Sequence, residues 1–343
     1  MEKLLTIIIP SYNMEHYLPQ CLESLLVSNL DKVQVLVVND GSKDRTKEIA
    51  TSYSSHYPDS IQLIDKPNGN YGSCINRALL EASGKYVKVL DADDSFYNDN
   101  FNEFVHFLSL IDCDAVISDY DIVNEAGDIT KEIRFDLPID RETFIFGNEI
   151  LKIPQGIFQM HGITYRTENL IKIGYRQTEG ISYTDQEWMF LPMLTVHRMA
   201  FFNKPIYRYL VGRAGQTVMA DPAKHLLPLS SIIAKLIETY TTFSTQSLTK
   251  AQKAYAENRL IGSVTSIIRS SLLYNNDVRL FECAKTLDQL LHDKIYDLWE
   301  KIRKDRIKTY IPIDYISAWR RSKYDPNNFI VRATRHALKL YHS

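Results

Sequence analysis

Four short apolar runs in the first 90 residues constrain the fold of this chain more than any other feature. The runs lie at residues 4–9, 33–38, 61–64 and 85–90, and polar or glycine-containing turns separate them from segments with helix-like spacing. Short apolar runs bounded by Pro, Gly, Asn or Asp are typical of buried strands. Parallel strands need a crossover between them, so this alternation predicts an α/β fold with a mostly parallel central sheet.

Polar side chains follow each of these predicted strands. They are residues 11–13, Asp40, Lys66 and the acidic run 91–94. The carboxyl ends of parallel strands share one edge of an open sheet, and ligands bind along that edge. The sequence therefore predicts one site that collects groups lying far apart in the chain.

The acidic run Asp91-Ala92-Asp93-Asp94 places three carboxylates on four residues where the fourth strand ends. Mg²⁺ and Mn²⁺ take oxygen ligands, and substrate phosphates often complete their coordination. Asp is also common at helix starts, where it caps the backbone and interacts with the helix dipole. Taken alone, the run fits both a metal site for a phosphate-bearing substrate and a helix cap.

Composition excludes several classes of protein. A net charge of −2 over 343 residues gives no reason to expect nucleic acid as a partner, because nucleic acid binding needs a basic face. The four cysteines have no metal-ligand spacing and the N-terminal apolar run is too short for a secretory signal, so we expect reduced thiols in the cytoplasm. No stretch reaches the roughly 18 apolar residues of a membrane span.

The regular alternation loosens beyond residue 100. Strand-like pieces return at residues 162–165 and 199–202, whereas strand signals stop after about residue 220. Pro222 follows at that point and marks a break in the pattern. The sequence predicts one domain over residues 1–220 and a helical region over residues 221–343.

The C-terminal segment is basic. From Lys301 onward the chain has eleven Lys or Arg residues and three Asp residues, a local charge of about +8. Its last part places Phe329, Ala333, Ala337 and Leu340 on one face of a predicted helix. A basic amphipathic terminus suits an anionic membrane surface or an anionic acceptor such as a lipid-linked pyrophosphate. It also fits a helix that packs on its own domain.

Five sequence blocks occur in a fixed order and at characteristic spacing. They are Ile9-Pro10-Ser11-Tyr12-Asn13, Val38-Asn39-Asp40-Gly41-Ser42, Asn70-Tyr71-Gly72 with Asn76, Gly84-Lys85-Tyr86, and Asp91-Ala92-Asp93-Asp94. With this combination the chain closely resembles the family 2 glycosyltransferases. The resemblance is strong over residues 4–120 and looser to about residue 217.

The resemblance implies a GT-A fold, a Rossmann-like α/β/α sandwich, with a donor side over residues 1–120 and an acceptor side over residues 121–220. It implies transfer of a sugar, with inversion, from a nucleotide-sugar donor, most commonly a UDP-sugar, to an acceptor hydroxyl. The implied acceptors are a bacterial surface polysaccharide, a teichoic-acid-like polymer, a lipid-linked glycan or a glycoprotein glycan. The resemblance does not inform the helical region. From its basic tail we expect that region to shape the acceptor site, contacts in a homo-oligomer, or peripheral attachment to the inner face of the plasma membrane.

Most of the roles that the resemblance implies concern the donor. Tyr12 would stack on the donor base near Pro10, and Asp40 would bind the base or the ribose. Asp93 would ligate Mn²⁺ or Mg²⁺ on the donor diphosphate, and Asp91 would bind the ribose or the metal with its water. The remaining donor-binding residues that the resemblance implies are Asn13, Lys66, Gly72, Asn76 and Ala92.

Two later residues are candidates for the transfer step. Asp185 corresponds to the Asp of the family's Glu-Asp pair and would act as the base that deprotonates the acceptor hydroxyl. Thr184 stands where the family usually has Glu. Arg213 lies in a glycine-flanked loop, from which a cation could reach the diphosphate. A helix-start Asp and a solvated loop Arg are the simpler alternatives.

The residues after the first strand argue against two other enzyme classes with a related sheet. A sugar nucleotidyltransferase or a dinucleotide dehydrogenase would carry a glycine-rich phosphate loop where this chain has residues 10–13. A glycosyltransferase-like scaffold without turnover is the remaining alternative, and Thr184 motivates it. His161 is interpreted as a packed or surface histidine, and Asp119 and Asp121 are expected to face solvent.

Overall fold

The computed structural model describes residues 2–135, 144–145, 158–213, 216, 222–243, 248–302 and 314–342. The chain forms two compact units, Met1–Gln216 and Thr217–Ser343. The boundary that we predict after residue 220 falls within residues 217–221, which lie outside the described part of the chain.

A ten-stranded sheet forms the centre of the first unit. Its strands are β1 (Leu5–Ser11), β2 (Val33–Asp40), β3 (Ile61–Lys66), β4 (Tyr86–Val89), β5 (Ser95–Phe96), β6 (Ala115–Val123), β7 (Ile129–Ile133), β8 (Phe144–Ile145), β9 (Ile163–Arg166) and β10 (Arg198–Leu210). All residues of β1, β2 and β4 are buried, as expected for continuous apolar runs in a sheet that is covered on both faces.

The main path of the sheet runs in the order β3-β2-β1-β4-β9-β6-β10-β5. Strands β3, β2, β1 and β4 are parallel, and β6 is parallel to β10. Strand β9 is antiparallel to both β4 and β6, so the sheet is more mixed than we expected. The predicted α/β fold class is confirmed, with the parallel strands at the N-terminal side of the sheet.

The sheet curls so that its far end returns to the acidic run. Strand β5 begins directly after Asp94, yet it pairs antiparallel with β10, at the opposite end of the path from β3. The Tyr207 ring of β10 lies 5.5 Å from the ring of Phe96 and 4.9 Å from that of His161, measured between centroids. The turn between β4 and β5 therefore lies between the parallel strands and β10.

Six α-helices belong to the described part of this unit. They are α1 (Leu18–Glu23), α2 (Thr46–His56), α3 (Asn70–Leu79), α4 (Asn98–Leu110), α5 (Thr167–Lys172) and α6 (Asp185–Trp188). In α4, Phe101, Phe104, Val105 and Leu108 recur at helical spacing and are buried in the main core. Burial of this apolar face, more than intrinsic propensity, stabilises the helix.

Asp119 and Asp121 do not face solvent, so that expectation is wrong. Their exposed fractions are 4% and 1%. Arg134 forms a 2.6 Å ion pair with Asp121, and the backbone N–H of Phe135 donates to Asp119 at 3.0 Å. Strand β7 pairs with β6 and brings these partners to the two carboxylates. The two acidic residues alone do not predict this strand pairing.

The second unit is helical in its described residues, which confirms the predicted helical C-terminal region. Its helices are α7 (Pro222–Thr242), α8 (Lys250–Arg269), α9 (Val278–Lys294), α10 (Tyr296–Ile302), α11 (Tyr315–Arg321) and α12 (Phe329–His342), and a π-helical turn at Ser270–Tyr274 continues α8. Among the helices described in either unit, none is long and apolar enough to cross a membrane.

The buried face of α12 differs from the one that we predicted. Val331, Thr334 and Leu338 are buried, whereas Phe329 is 81% exposed. Arg335 donates from Nε and Nη2 to the Leu272 carbonyl at 3.0 and 2.8 Å. This basic side chain of the tail therefore binds a backbone group of its own unit. The apolar face of this helix packs on its own unit.

A buried carboxylate joins three helices of the second unit. Asp288 of α9 accepts hydrogen bonds from Trp299 at 2.9 Å and Tyr324 at 3.1 Å, and it pairs with Arg320 of α11 at 2.6 Å. The Arg320 guanidinium also stacks 4.0 Å from the Trp299 ring. Removing one partner of such a pair leaves an uncompensated buried charge.

We predict that Asp288→Ala lowers the free energy of unfolding of the second unit by about 3–5 kcal/mol, because Arg320 then stays buried without its counter-charge. Urea denaturation followed by tryptophan fluorescence measures this change. The matched control is Glu282→Ala, which removes an exposed ion pair with Lys285 from the same helix and should cost less than about 1 kcal/mol. Equal losses in the two variants would contradict the prediction.

Candidate functional site

The end of β2 is fixed by contacts to the neighbouring strand and helix. Asp40 is buried there, and Lys66 at the end of β3 forms an ion pair with its Oδ1 atom. The backbone N–H of Gly69 donates to the same oxygen at 2.9 Å. The structure thus brings Asp40 and Lys66 together at the start of α3, as the strand-edge argument predicts.

The end of β1 presents one exposed aromatic side chain. Pro10 is buried within the strand, whereas Tyr12 is 46% exposed. Asn13 has φ 55°, a left-handed conformation that Asn tolerates better than most residues. Its Oδ1 accepts from the Lys43 backbone N–H at 2.8 Å, and its own N–H donates to Ser42 at 3.1 Å, so the loops after β1 and β2 are joined.

Gly72 and Asn76 hold the segment 177–180 against α3. A Cβ atom on Gly72 would lie 2.1 Å from the Thr178 carbonyl oxygen, so only glycine permits this approach. The Asn76 side chain accepts from the Gln177 N–H at 2.8 Å and donates to the Gln177 carbonyl at 2.9 Å and to Glu179 at 2.8 Å. Both residues are buried, and their visible role is to position this segment.

The acidic turn, residues 91–94, directs its three carboxylates to different partners. Asp91 accepts from the Tyr71 hydroxyl at 2.9 Å, and Asp93 pairs with Arg213 Nε at 2.5 Å. Ala92 is buried in the main core. Asp94, which the sequence suggests as the structural member of the run, is buried and accepts hydrogen bonds from β10.

Strand β10 binds the acidic turn through two groups. The Tyr207 hydroxyl donates to Asp94 Oδ2 at 2.6 Å, and the Leu210 N–H donates to Oδ1 at 2.7 Å. The Asp91 N–H donates to the same Tyr207 oxygen at 3.1 Å. The turn is therefore held by hydrogen bonds as well as by its position after β4.

Burial and mutual repulsion shift the titration of these carboxylates. Burial, followed by the charge of Asp93, raises the pKa of Asp91 to about 7. Burial and the charges of Asp93 and Asp91 raise the pKa of Asp94 well above its usual range. Asp93 forms an ion pair with Arg213, whereas neither Asp91 nor Asp94 forms an ion pair with another described residue. In the ligand-free turn Asp94 therefore keeps its proton at neutral pH, and a bound cation would favour the ionised carboxylates.

His161 adjoins the acidic turn, and the sequence interpretation missed this position. One of its ring nitrogens and one oxygen each of Asp91 and Asp94 lie within 4.8 Å of one another. Burial and the charge of Lys88 lower the pKa of His161 to about 3, so the imidazole is neutral at physiological pH. His161 precedes β9, whose antiparallel direction brings its first residue to the ligand edge, and the apolar run alone does not specify strand direction.

Asp185 begins α6 and lies close enough to the acidic turn to affect it. Its negative charge contributes to the raised pKa values of Asp91 and Tyr71. Thr184 is fully buried, and its hydroxyl has no hydrogen-bond partner among the described residues. Thr184, which stands where the family usually has Glu, thus lies in the protein interior.

A cavity of about 140 Å³ lies beside Asp93. Its walls mix hydroxyl, amide, carboxylate and guanidinium groups with two aliphatic side chains and one glycine. The lining residues are Tyr17, Gln20, Asp93, Ser95, Val123, Asn124, Glu125, Gly127, Arg208 and Leu210. Such a mixture of donors and acceptors suits a ligand rich in hydroxyl groups.

Comparison with known proteins identifies the domain that carries this site. Residues 6–174 match the family described as Glycosyl transferase family 2. An uncharacterized glycosyltransferase of Mycoplasma pneumoniae, the MG025 homolog, is 45% identical over 109 residues, which cover 30% of this chain and 36% of the relative. The uncharacterized glycosyltransferase YibD of Escherichia coli is 24% identical over 69% of this chain and 72% of its own length.

Solved structures share the fold at low sequence identity. Residues 1–349 of S. aureus TarS, in complex with UDP-GlcNAc, superpose with a TM-score of 0.72 and 17% identity, covering 98% of this chain and 92% of that one. The mannosyltransferase PcManGT of Pyrobaculum calidifontis, in complex with GDP-Man and Mn²⁺, gives a TM-score of 0.52 and 17% identity over 88% and 84% of the two chains. Residues 6–174 thus match the glycosyl transferase family 2 model, and the chain has a GT-A-like fold.

The electrostatics of the acidic turn predict a pH-dependent effect of Asp94→Asn in metal-free protein. A carboxyl whose pKa is raised by folding keeps a proton that the unfolded chain releases, so stability falls as pH rises from about 4. Asp94→Asn removes this loss and keeps an oxygen for the Leu210 N–H. Relative to wild type, the variant should gain at least about 1 kcal/mol of unfolding free energy between pH 5 and pH 8.

Urea denaturation in EDTA at the two pH values measures this gain. Asp99→Asn, which changes an exposed carboxylate in the first turn of α4, is the control and should show the same difference from wild type at both values. A pH-independent effect of Asp94→Asn would contradict the prediction.

Proposed function

We propose that this chain, whose residues 6–174 match the glycosyl transferase family 2 model, transfers a sugar from a nucleotide-diphosphate sugar to an acceptor hydroxyl with inversion. A UDP-sugar is the proposed donor. The observation that supports the proposal is that Asp185 lies near enough to the acidic turn for its negative charge to raise the pKa of Asp91, at the end of the parallel strand β4. The nucleotide sugars bound by TarS and by PcManGT, proteins of the same fold, support the donor class.

The donor would lie along the ends of β1, β2 and β3. The exposed Tyr12 ring suits stacking on the base, and the Asp40 and Lys66 pair offers polar groups to the base or ribose. Asn13 would shape this side by joining the first two loops. Gly72 and Asn76 would act on the sugar side through the segment 177–180 that they position.

The acidic turn has the donor set for a divalent cation. Carboxylate oxygens suit Mg²⁺ and Mn²⁺, and Asp91 and Asp94 have no ion-pair partner among the described residues. The cation would be held by Asp91 with Asp93, as predicted from sequence, or by Asp91 with Asp94 and His161. When bound, it would stabilise the negative charge that develops on the diphosphate leaving group.

The transfer step uses Asp185 as base. The acceptor oxygen attacks C1 of the sugar, its proton passes to the Asp185 carboxylate, and the bond from C1 to the diphosphate oxygen breaks with its electron pair on that oxygen. Attack opposite the leaving group inverts the anomeric carbon. Arg213, now paired with Asp93, would add positive charge beside the diphosphate.

The acceptor side is proposed on more general grounds. The polar cavity beside Asp93 suits hydroxyl groups of a surface polysaccharide, teichoic-acid-like polymer, lipid-linked glycan or glycoprotein glycan. Peripheral contact with an anionic membrane at the cytoplasmic face would rest on charge, because the apolar face of α12 packs on its own unit. Contacts in a homo-oligomer stay a prediction for the helical region.

We predict that the protein hydrolyses or transfers at least one nucleotide sugar in the presence of Mn²⁺, and that Asp185→Asn lowers this rate by about 10²–10⁴. Because Asn cannot accept the proton but keeps a similar shape, donor affinity measured by calorimetry should change little. A panel of UDP- and GDP-sugars with Mn²⁺ or EDTA, assayed for release of the nucleoside diphosphate, measures the rate.

Glu168→Gln is the matched control, because Glu168 is an exposed carboxylate on α5 that pairs with Lys172 away from the site. It should retain the wild-type rate. Near wild-type transfer by Asp185→Asn would rule out this residue as base. Nucleotide binding without turnover of any donor would favour the inactive scaffold that Thr184 motivated.

A further inference from the structure

His161 gives the acidic turn a nitrogen ligand. We propose that Asp91, Asp94 and His161 together bind the divalent cation of this domain and favour Mn²⁺ over Mg²⁺. The inference rests on the proposed metal-dependent function and names ligands and a metal preference that the family match does not supply. The three ligand atoms lie within 4.8 Å of one another, and opposite ligands of a divalent ion are about 4–5 Å apart.

The His161 ring is held at the site and has an unused nitrogen. It is 9% exposed, and its Nδ1 atom is buried without a hydrogen-bond partner among the described residues. The ring stacks on Tyr209 with centroids 4.0 Å apart and meets Tyr207 edge-on at 4.9 Å. A buried imidazole nitrogen without a partner costs free energy, and one ring nitrogen of this same residue lies within 4.8 Å of an oxygen of Asp91 and of Asp94.

The two carboxylates have room for a further partner. Asp91 accepts one hydrogen bond from Tyr71, and Asp94 accepts one on each oxygen, from Tyr207 and Leu210. A carboxylate has about four acceptor positions, so lone pairs remain on both groups. These hydrogen bonds would orient the ligands, as the outer partners of metal ligands commonly do.

Asp93 is less suited to the same ion in this arrangement. Its carboxylate is engaged by Arg213 Nε at 2.5 Å, and the Arg213 guanidinium lies 5.2 Å from the Tyr17 ring. A cation bound to Asp93 would have to displace this guanidinium or lie beside it. No cationic side chain among the described residues pairs directly with the Asp91 or Asp94 carboxylate. Lys88, the buried cation beside His161, donates to the His161 backbone carbonyl at 2.6 Å and leaves the ring nitrogens free of that contact.

The nitrogen ligand determines the metal preference. Mg²⁺ favours oxygen ligands and ordered water, whereas first-row transition metals accept imidazole together with carboxylates. A site of two carboxylates and one imidazole should therefore bind Mn²⁺ more tightly than Mg²⁺. Replacing the imidazole with an amide should weaken Mn²⁺ binding more than it weakens Mg²⁺ binding.

Electron spin echo envelope modulation of the full chain loaded with Mn²⁺ tests the ligand directly, with and without UDP. Wild-type protein should show the modulation of a directly bound imidazole nitrogen. The modulation should disappear in His161→Gln and persist in His197→Gln, which changes an exposed histidine of the same unit. Competition titrations should show Mn²⁺ affinity falling about 10–100-fold in His161→Gln, with Mg²⁺ affinity changing less than about threefold.

The wild-type spectrum alone can overturn the inference if the His161 variant fails to fold. Bound Mn²⁺ without imidazole coupling would assign the ion to Asp91 and Asp93, and absence of Mn²⁺ binding in both conditions would also contradict the proposal. Loss of sugar transfer with intact nitrogen coupling would instead refute the proposed function and leave the metal site standing.

Discussion

The carboxylate of Asp94 connects the acidic turn to strand β10, and the geometry of the site depends on that connection. Its two oxygens accept from the Tyr207 hydroxyl and the Leu210 N–H, and Tyr207 accepts in turn from the Asp91 N–H. With the turn held in this way, Asp91 reaches Tyr71 and Asp93 reaches Arg213. One buried residue thus fixes the directions of the two carboxylates that the proposed chemistry uses.

The charge balance of the turn favours ligand binding. The positive charge of Arg213 compensates the negative charge of Asp93. The carboxylates of Asp91 and Asp94 have no such partner, so protonation or a bound cation would neutralise them. Burying like charges together destabilises the ligand-free protein, and a bound cation relieves that cost. The same arrangement would therefore couple folding stability and pH to the affinity for the proposed cation.

The sequence predicts the parallel strands β1 to β4 well, and it predicts the remaining part of the sheet, from β9 to β5 along the path, poorly. Strands β1 to β4 have apolar runs and adjacent polar turns, so both their existence and their shared edge follow from local patterns. The antiparallel direction of β9 and the return of β5 to β10 depend on pairings between distant segments, which local periodicity does not encode.

The site shows the same division. Asp40, Lys66 and the acidic turn were predicted at one edge, because each follows a recognisable strand. His161 was interpreted as a packed or surface histidine because it lies in no motif with metal-ligand spacing, and only the antiparallel direction of β9 brings it to the acidic turn. Gly72 and Asn76 belong to a block that resembles the family, but the sequence does not show what they contact. The structure shows that both pack against segment 177–180.

The distance along the chain between the acidic turn and its partners has a consequence for how the domain forms. Asp94 and Leu210 are 116 residues apart, and β10 is the last strand of the first unit to leave the ribosome. Contacts between distant segments form late, because loop closure costs entropy before the contacts stabilise the fold. A nascent chain that ends before β10 would carry every donor-side motif and still leave its carboxylates unanchored. Competence to bind the proposed donor would thus arrive with the end of the domain, well after its recognisable motifs have been synthesised.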